Sequence, residues 1–142
     1  MVRFLGQQHG YYPSDAKLAY DCDSLVDLYQ DLLPKLCAPC YTKDEAAKPA
    51  LVAEIFEKLL PNFLKQVEPI CARGEFLVGD SLTIADFWIG GLYTNFCTNE
   101  AVGCAKEQWA TALDEFPNFK AYGERFAEAN KTYLAARPQY RY

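Results

Sequence analysis

Residues 76–97 read FLVGDSLTIADFWIGGLYTNFC. Gly79-Asp80 is turn chemistry, and Thr83 is a good helix N-cap. Asp86 stands three residues on, which makes a capping box with Asp in place of the usual Glu or Gln. Leu82 before the cap and Phe87 after it suit a hydrophobic staple. Beyond the cap the chain is apolar on nearly every side: Phe87, Trp88, Ile89, Leu92, Tyr93, Phe96. A helix apolar all round is a buried one, so this segment is expected at the centre of the fold. Gly90 and Gly91 would each cost about 1 kcal/mol in an exposed helix. In a central helix they read as places where a neighbour comes close.

Outward from that helix the chain keeps a 3.6-residue rhythm. Leu18, Cys22, Leu25, Tyr29, Leu32 and Leu36 fall at steps of 4, 3, 4, 3 and 4, a helical stripe begun by Ser14 or Asp15 as cap. Asp23, Asp27 and Asp31 lie on the other side at i,i+4 spacing, where like charges repel. The stripe is either a solvated acidic face or one that waits for a cation. A second helix is expected from about Asp44 to Cys71, with Val52, Ile55, Phe56, Leu59, Leu60, Phe63, Val67 and Ile70 inward and a bend at Pro61. A short helix around Lys106–Leu113 carries Trp109. The last one starts at Pro117 and turns Phe119, Tyr122, Phe126 and Tyr133 inward. No alternating strand pattern of useful length occurs. The expected fold is all-α, a helical bundle of five main helices.

The chain has 142 residues, 51% hydrophobic and 15% aromatic, with net charge −5. One ordinary domain with a real core fits those values, and disorder does not. The acidic balance argues against a nucleic-acid surface. No apolar run approaches the roughly 20 residues of a membrane span, and MVRFLGQQHGYYP has no signal-peptide core. A cytoplasmic, thiol-reducing setting is expected, with the cysteines mostly free. Residues 1–9 have helix formers and end at Gly10, a natural C-cap, yet lack an N-cap. This reads as the tail of an element belonging to an absent upstream piece.

Cys37-Ala38-Pro39-Cys40 invites three readings: a thiol–disulfide centre, half of a zinc knuckle, or a loop. A redox C-x-x-C sits at a helix N-terminus, where the dipole lowers the thiol pKa. Here a helix precedes it, so Cys37 falls at a C-terminus. Zinc needs further N or S ligands, and only His9 and distant cysteines are on offer. With Pro34 and Pro39 as stop signals, the motif reads as a loop between two helices.

LVGDSLTIADFWIGGLY resembles the capping-box segment of cytosolic glutathione transferases. RFLGQQHGYYPSD resembles the link between their two domains, LLPNFLKQVE their kinked second helix, and EFPNFKAYGERFAEANKTYLAARP their penultimate helix and tail. The nearest flavour is the sigma, mu and pi group. The resemblance covers nearly the whole chain, and only half of that family's protein. It implies that residues 1–9 are a remnant of the last helix of an absent thioredoxin-like domain and that 10–142 are the C-terminal helical domain. It also implies that Asp27, or Asp23, reaches glutathione across a homodimer. Tyr29, Leu33, Leu36 and Cys37, with Tyr140 or Tyr142 from the tail, would line a pocket for small apolar electrophiles or hydrophobic ligands. Thr83 and Asp86 have a folding role in that family. No catalytic residue, metal or cofactor is expected in this chain itself; glutathione is a co-substrate only where the missing domain is present. A protein-interaction or structural module of the same fold is the other reading.

Overall fold

The computed structural model describes residues 1–99 and 105–138. Within them the elements are α1 (Val2–His9), α2 (Ala16–Tyr41), α3 (Lys48–Glu54), α4 (Leu60–Cys71), α5 (Ile84–Leu92), α6 (Lys106–Glu115), α7 (Pro117–Ala129) and α8 (Lys131–Ala136). Two π turns extend these, at Ile55–Leu59 before α4 and at Tyr93–Cys97 after α5. The described residues form no strand, and the all-α expectation holds.

α5 is the hub. Ile89 and Leu92 are fully buried, and α2, α7 and α1 all pack against this helix. Its outer side is less enclosed: Phe87 and Trp88 are half-buried, and Phe87 meets Tyr11 edge-on at 5.0 Å. The capping box forms. Thr83 N donates to Asp86 Oδ2 at 2.8 Å and the Thr83 hydroxyl donates to the same oxygen at 3.0 Å. Asp86 does more than cap. Its other oxygen accepts from Leu77 N at 3.0 Å and from the Tyr122 hydroxyl at 3.1 Å, so one buried carboxylate ties the loop before α5 to α7. Ile84 N, at the helix start, donates to Tyr11 O at 2.9 Å, which ties in the segment after α1.

α1 ends as expected in Gly10 at φ 77°, a left-handed cap. Asp15 is the cap of α2, accepting from Lys17 N and Leu18 N at 3.0 and 2.9 Å. Gly90 faces the Phe126 ring so closely that a methyl group there would overlap it. Gly91 does not repeat this: its nearest neighbour is Asn95, at ordinary contact.

Three expectations are corrected. α2 runs through Pro34 and Pro39 to Tyr41, so both prolines are helical and the C-x-x-C lies on the last turn, not in a loop. Pro39 is buried, and that burial offsets the backbone bond its ring removes. The bend at Pro61 takes the form of the preceding π turn, in which Leu60 N bonds back five residues to Ile55 O. Shifting the bonding by one residue makes room for the ring one turn back. Tyr133 is 66% exposed rather than inward, because α7 stops at Asn130 and α8 restarts in a new phase.

Candidate functional site

Tyr29, Leu33, Leu36 and Cys37 lie on the second half of α2. Tyr29 and Leu36 point into the core, at 4% and 5% exposure, and Tyr29 packs against Phe63 with ring centroids 6.1 Å apart. Leu33 and Cys37 are half-buried. Tyr29 lies near enough to the Cys37 and Cys97 thiols that a charge on either would be felt at its hydroxyl. Cys97 closes the π turn that follows α5. The same turn holds the end of the described chain: Arg137 donates to Asn95 Oδ1 at 2.6 Å and to Thr94 O at 2.8 Å. Tyr140 and Tyr142 lie outside the described residues, as does Cys104.

The patch is neutral. Burial pushes the Tyr29 hydroxyl and the Cys97 thiol well above their ordinary values. Burial, and then the neighbouring Cys40, also raises Cys37. All three stay protonated near neutral pH, so none of them is a ready nucleophile. Such a surface suits an uncharged apolar guest.

Asp23 and Asp27 are placed differently. Arg3 from α1 donates Nε to Asp23 and Nη2 to Asp27, each at 2.7 Å, and the Tyr12 hydroxyl donates to Asp23 at 3.0 Å. The two carboxylates hold the guanidinium protonated ever more firmly. The acidic stripe therefore has a cation, supplied by the chain's own first helix. Sequence reasoning missed Arg3, although an i,i+4 pair of Asp followed a stub carrying one Arg. Asp27 keeps a side-chain exposure of 67% and remains open to a further contact.

A groove of about 810 Å³ lies between the first half of α2, the end of α4 and the loop before α5. Leu25, Leu28 and Ile70 are among the apolar residues lining it, with Lys17 and Arg73 among the polar ones. Tyr29, Leu33, Leu36 and Cys37 do not line it. Among the described residues no three His, Cys, Asp or Glu side chains stand together as a metal site, and no helix is long and apolar enough to cross a membrane.

A box-capped central helix, packed by the long α2 and by the shorter α1 and α7, defines an all-α helical-domain architecture. Residues 30–137 match the family described as "Glutathione S-transferase, C-terminal domain". The chain belongs to that family. It is 27% identical over 132 residues to mouse (Mus musculus) Glutathione S-transferase Mu 6, across 92% of this chain and 54% of that protein. To human (Homo sapiens) Glutathione S-transferase Mu 3 it is 26% identical, across 92% and 52%. The structure of a Nu-class GST from Haemonchus contortus superposes with a TM-score of 0.79 at 26% identity, covering 99% of this chain and 67% of that one. The chain spans about half the length of the curated relatives it matches.

Proposed function

We propose that this chain is the hydrophobic-ligand domain of a cytoplasmic glutathione S-transferase-type protein, and that it does not conjugate glutathione alone. The observation that carries this is the neutral face on the second half of α2, where Leu33 and Cys37 are half-buried beside the buried Tyr29 and Leu36 and the Tyr29 hydroxyl and Cys37 thiol stay protonated. Leu33 and Cys37 form its accessible edge, and Tyr29 and Leu36 its floor. Small apolar electrophiles are the expected guests. Conjugation needs the glutathione thiol ionised near neutral pH, and that thiol's reference pKa is about 8.5. Tyr29 is 4% exposed, which closes its hydroxyl off from a glutathione thiolate. Activation would fall instead to a thioredoxin-like domain, to which this helical domain would be the partner. Asp27, or Asp23, would reach glutathione across a homodimer, and the Arg3 pairing would hold both in place for it.

The test is a hydrophobic-dye titration beside a chromogenic conjugation assay near neutral pH. The chain should bind the dye and show no turnover above the uncatalysed rate. Leu33→Asp should weaken the dye at least tenfold with little change in melting temperature. Turnover that vanishes on substituting Tyr29 or Cys37 would overturn the reading. A second reading, an interaction module, is favoured by α1, where Phe4 is 63% and Leu5 46% exposed. A sedimentation series in which Phe4→Asp alone abolishes self-association would support it.

A further inference from the structure

We propose that Cys37 and Cys40 are a redox site: a hydroperoxide joins them in a disulfide within α2 and thereby unwinds the helix's last turn. Both thiols are free and half-buried, three residues apart, with α2 ending at Tyr41. Helix geometry puts Cα atoms at that spacing about 5 Å apart, inside the range a disulfide accepts. It leaves the Cβ atoms roughly 5.5 Å apart, beyond the roughly 4.5 Å that the bridge spans. Closure therefore requires the turn to yield. The turn is built to yield, because Pro39 has no N–H to bond back along the helix. The amide of Thr42, bonded to Ala38 O at 3.0 Å, closes the turn.

The chemistry balances. One thiolate attacks a peroxide oxygen, forming a sulfenic acid and releasing an alcohol; the second sulfur displaces the sulfenic oxygen, which leaves as water. The two thiol protons end in the alcohol and the water. The helix C-terminus disfavours thiolates, so the reaction is slow. The same position disfavours the thiolate that reduction must release, so the bridge is hard to undo once made. A C-x-x-C at a helix N-terminus has the opposite bias.

Trypsin would release residues 36–43 as one peptide holding both cysteines, with Cys97 in another. After prolonged exposure of the whole chain to tert-butyl hydroperoxide, that peptide should lose two hydrogens and resist alkylation. Amide exchange at Thr42 should rise at least tenfold, and both changes should reverse under strong dithiol. Cys40→Ser should stop at a sulfenic acid trapped by dimedone. Two alkylatable thiols persisting in the peptide would overturn the proposal, as would a cross-link from Cys37 to Cys97. A bridge formed with unchanged exchange at Thr42 would overturn the unwinding.

Discussion

Asp86 carries four donors on one fully buried carboxylate: Leu77 N, Thr83 N, the Thr83 hydroxyl and the Tyr122 hydroxyl. Removing a charged acceptor strands buried donors at about 1–3 kcal/mol each, more than the loss of a cap alone. Asp86→Ala should thus cost about 3 kcal/mol or more, read as a fall in the urea midpoint. A cost no larger than that of Thr83→Ala would show that the cap is all Asp86 provides. The two neighbouring glycines make a paired test. Gly90→Ala must push Phe126 aside and should destabilise by about 1–3 kcal/mol. Gly91→Ala meets only Asn95 at ordinary contact and should be neutral or stabilising by up to about 1 kcal/mol, through helix propensity. The box itself was legible from Thr83 and Asp86, since its parts lie three residues apart. Leu77 and Tyr122 as further partners were not, because nothing local to 83–86 encodes a residue 36 positions away.

α7 has no capping side chain of its own; Phe116 stands at its N-cap. Glu68 of α4 takes that role from a distance, with Oε1 accepting from Asn118 N at 2.9 Å and Oε2 from Phe119 N at 2.8 Å. Glu68→Ala should cost about 1–2 kcal/mol, and Glu68→Gln less, as melting temperatures would show. α1 is fixed by a weaker device. Its Arg3 pair is exposed, so Arg3→Ala should change global stability by no more than about 1 kcal/mol. It should nonetheless speed amide exchange in α1, and added salt should mimic it. At this scale the sequence was readable wherever periodicity ruled, as along α2 from Leu18 to Leu36. It misled at Pro34 and Pro39, where helix-breaking propensity pointed to a stop and burial of Pro39 won. Tyr133 failed for the converse reason: an inward phase was extended across Asn130, where the helix restarts.

Over the whole molecule the buried phenol and thiol groups of Tyr122 and Cys71 resist losing their protons. Burial, then the charge of Asp86, pushes Tyr122 far above the ordinary tyrosine value, and burial lifts Cys71 to about 12. Folded values raised above unfolded ones give stability that is complete below the unfolded pKa values, about 8.5 and 10, and is lost as pH rises past them. The share of the unfolding free energy that these two groups supply should be constant up to about pH 8.5 and fall above it. Tyr122→Phe should cost about 1 kcal/mol at neutral pH and make the slope above pH 10 shallower by about 1.4 kcal/mol per pH unit. Urea midpoints across that range decide the matter; a slope unchanged by the mutation would remove Tyr122 from the account. The expected pocket residues Tyr29, Leu33, Leu36 and Cys37 could be placed together from sequence because they share one helix. The tie of Arg137 to Asn95 and Thr94 could not, because it is made at a π turn, an irregularity that leaves no periodic trace in sequence.

A helix start held by a side chain from 50 residues away also sets an order of events. The box at Thr83 is local and can close in a chain that is otherwise open, so α5 can lead. The first turn of α7 stays incomplete until α4 has docked, so that region matures late. In rapid-mixing experiments, Thr83→Ala should chiefly slow refolding, and Glu68→Ala should chiefly hasten unfolding. The reverse pattern would mean that α4 and α7 assemble first and α5 grows between them.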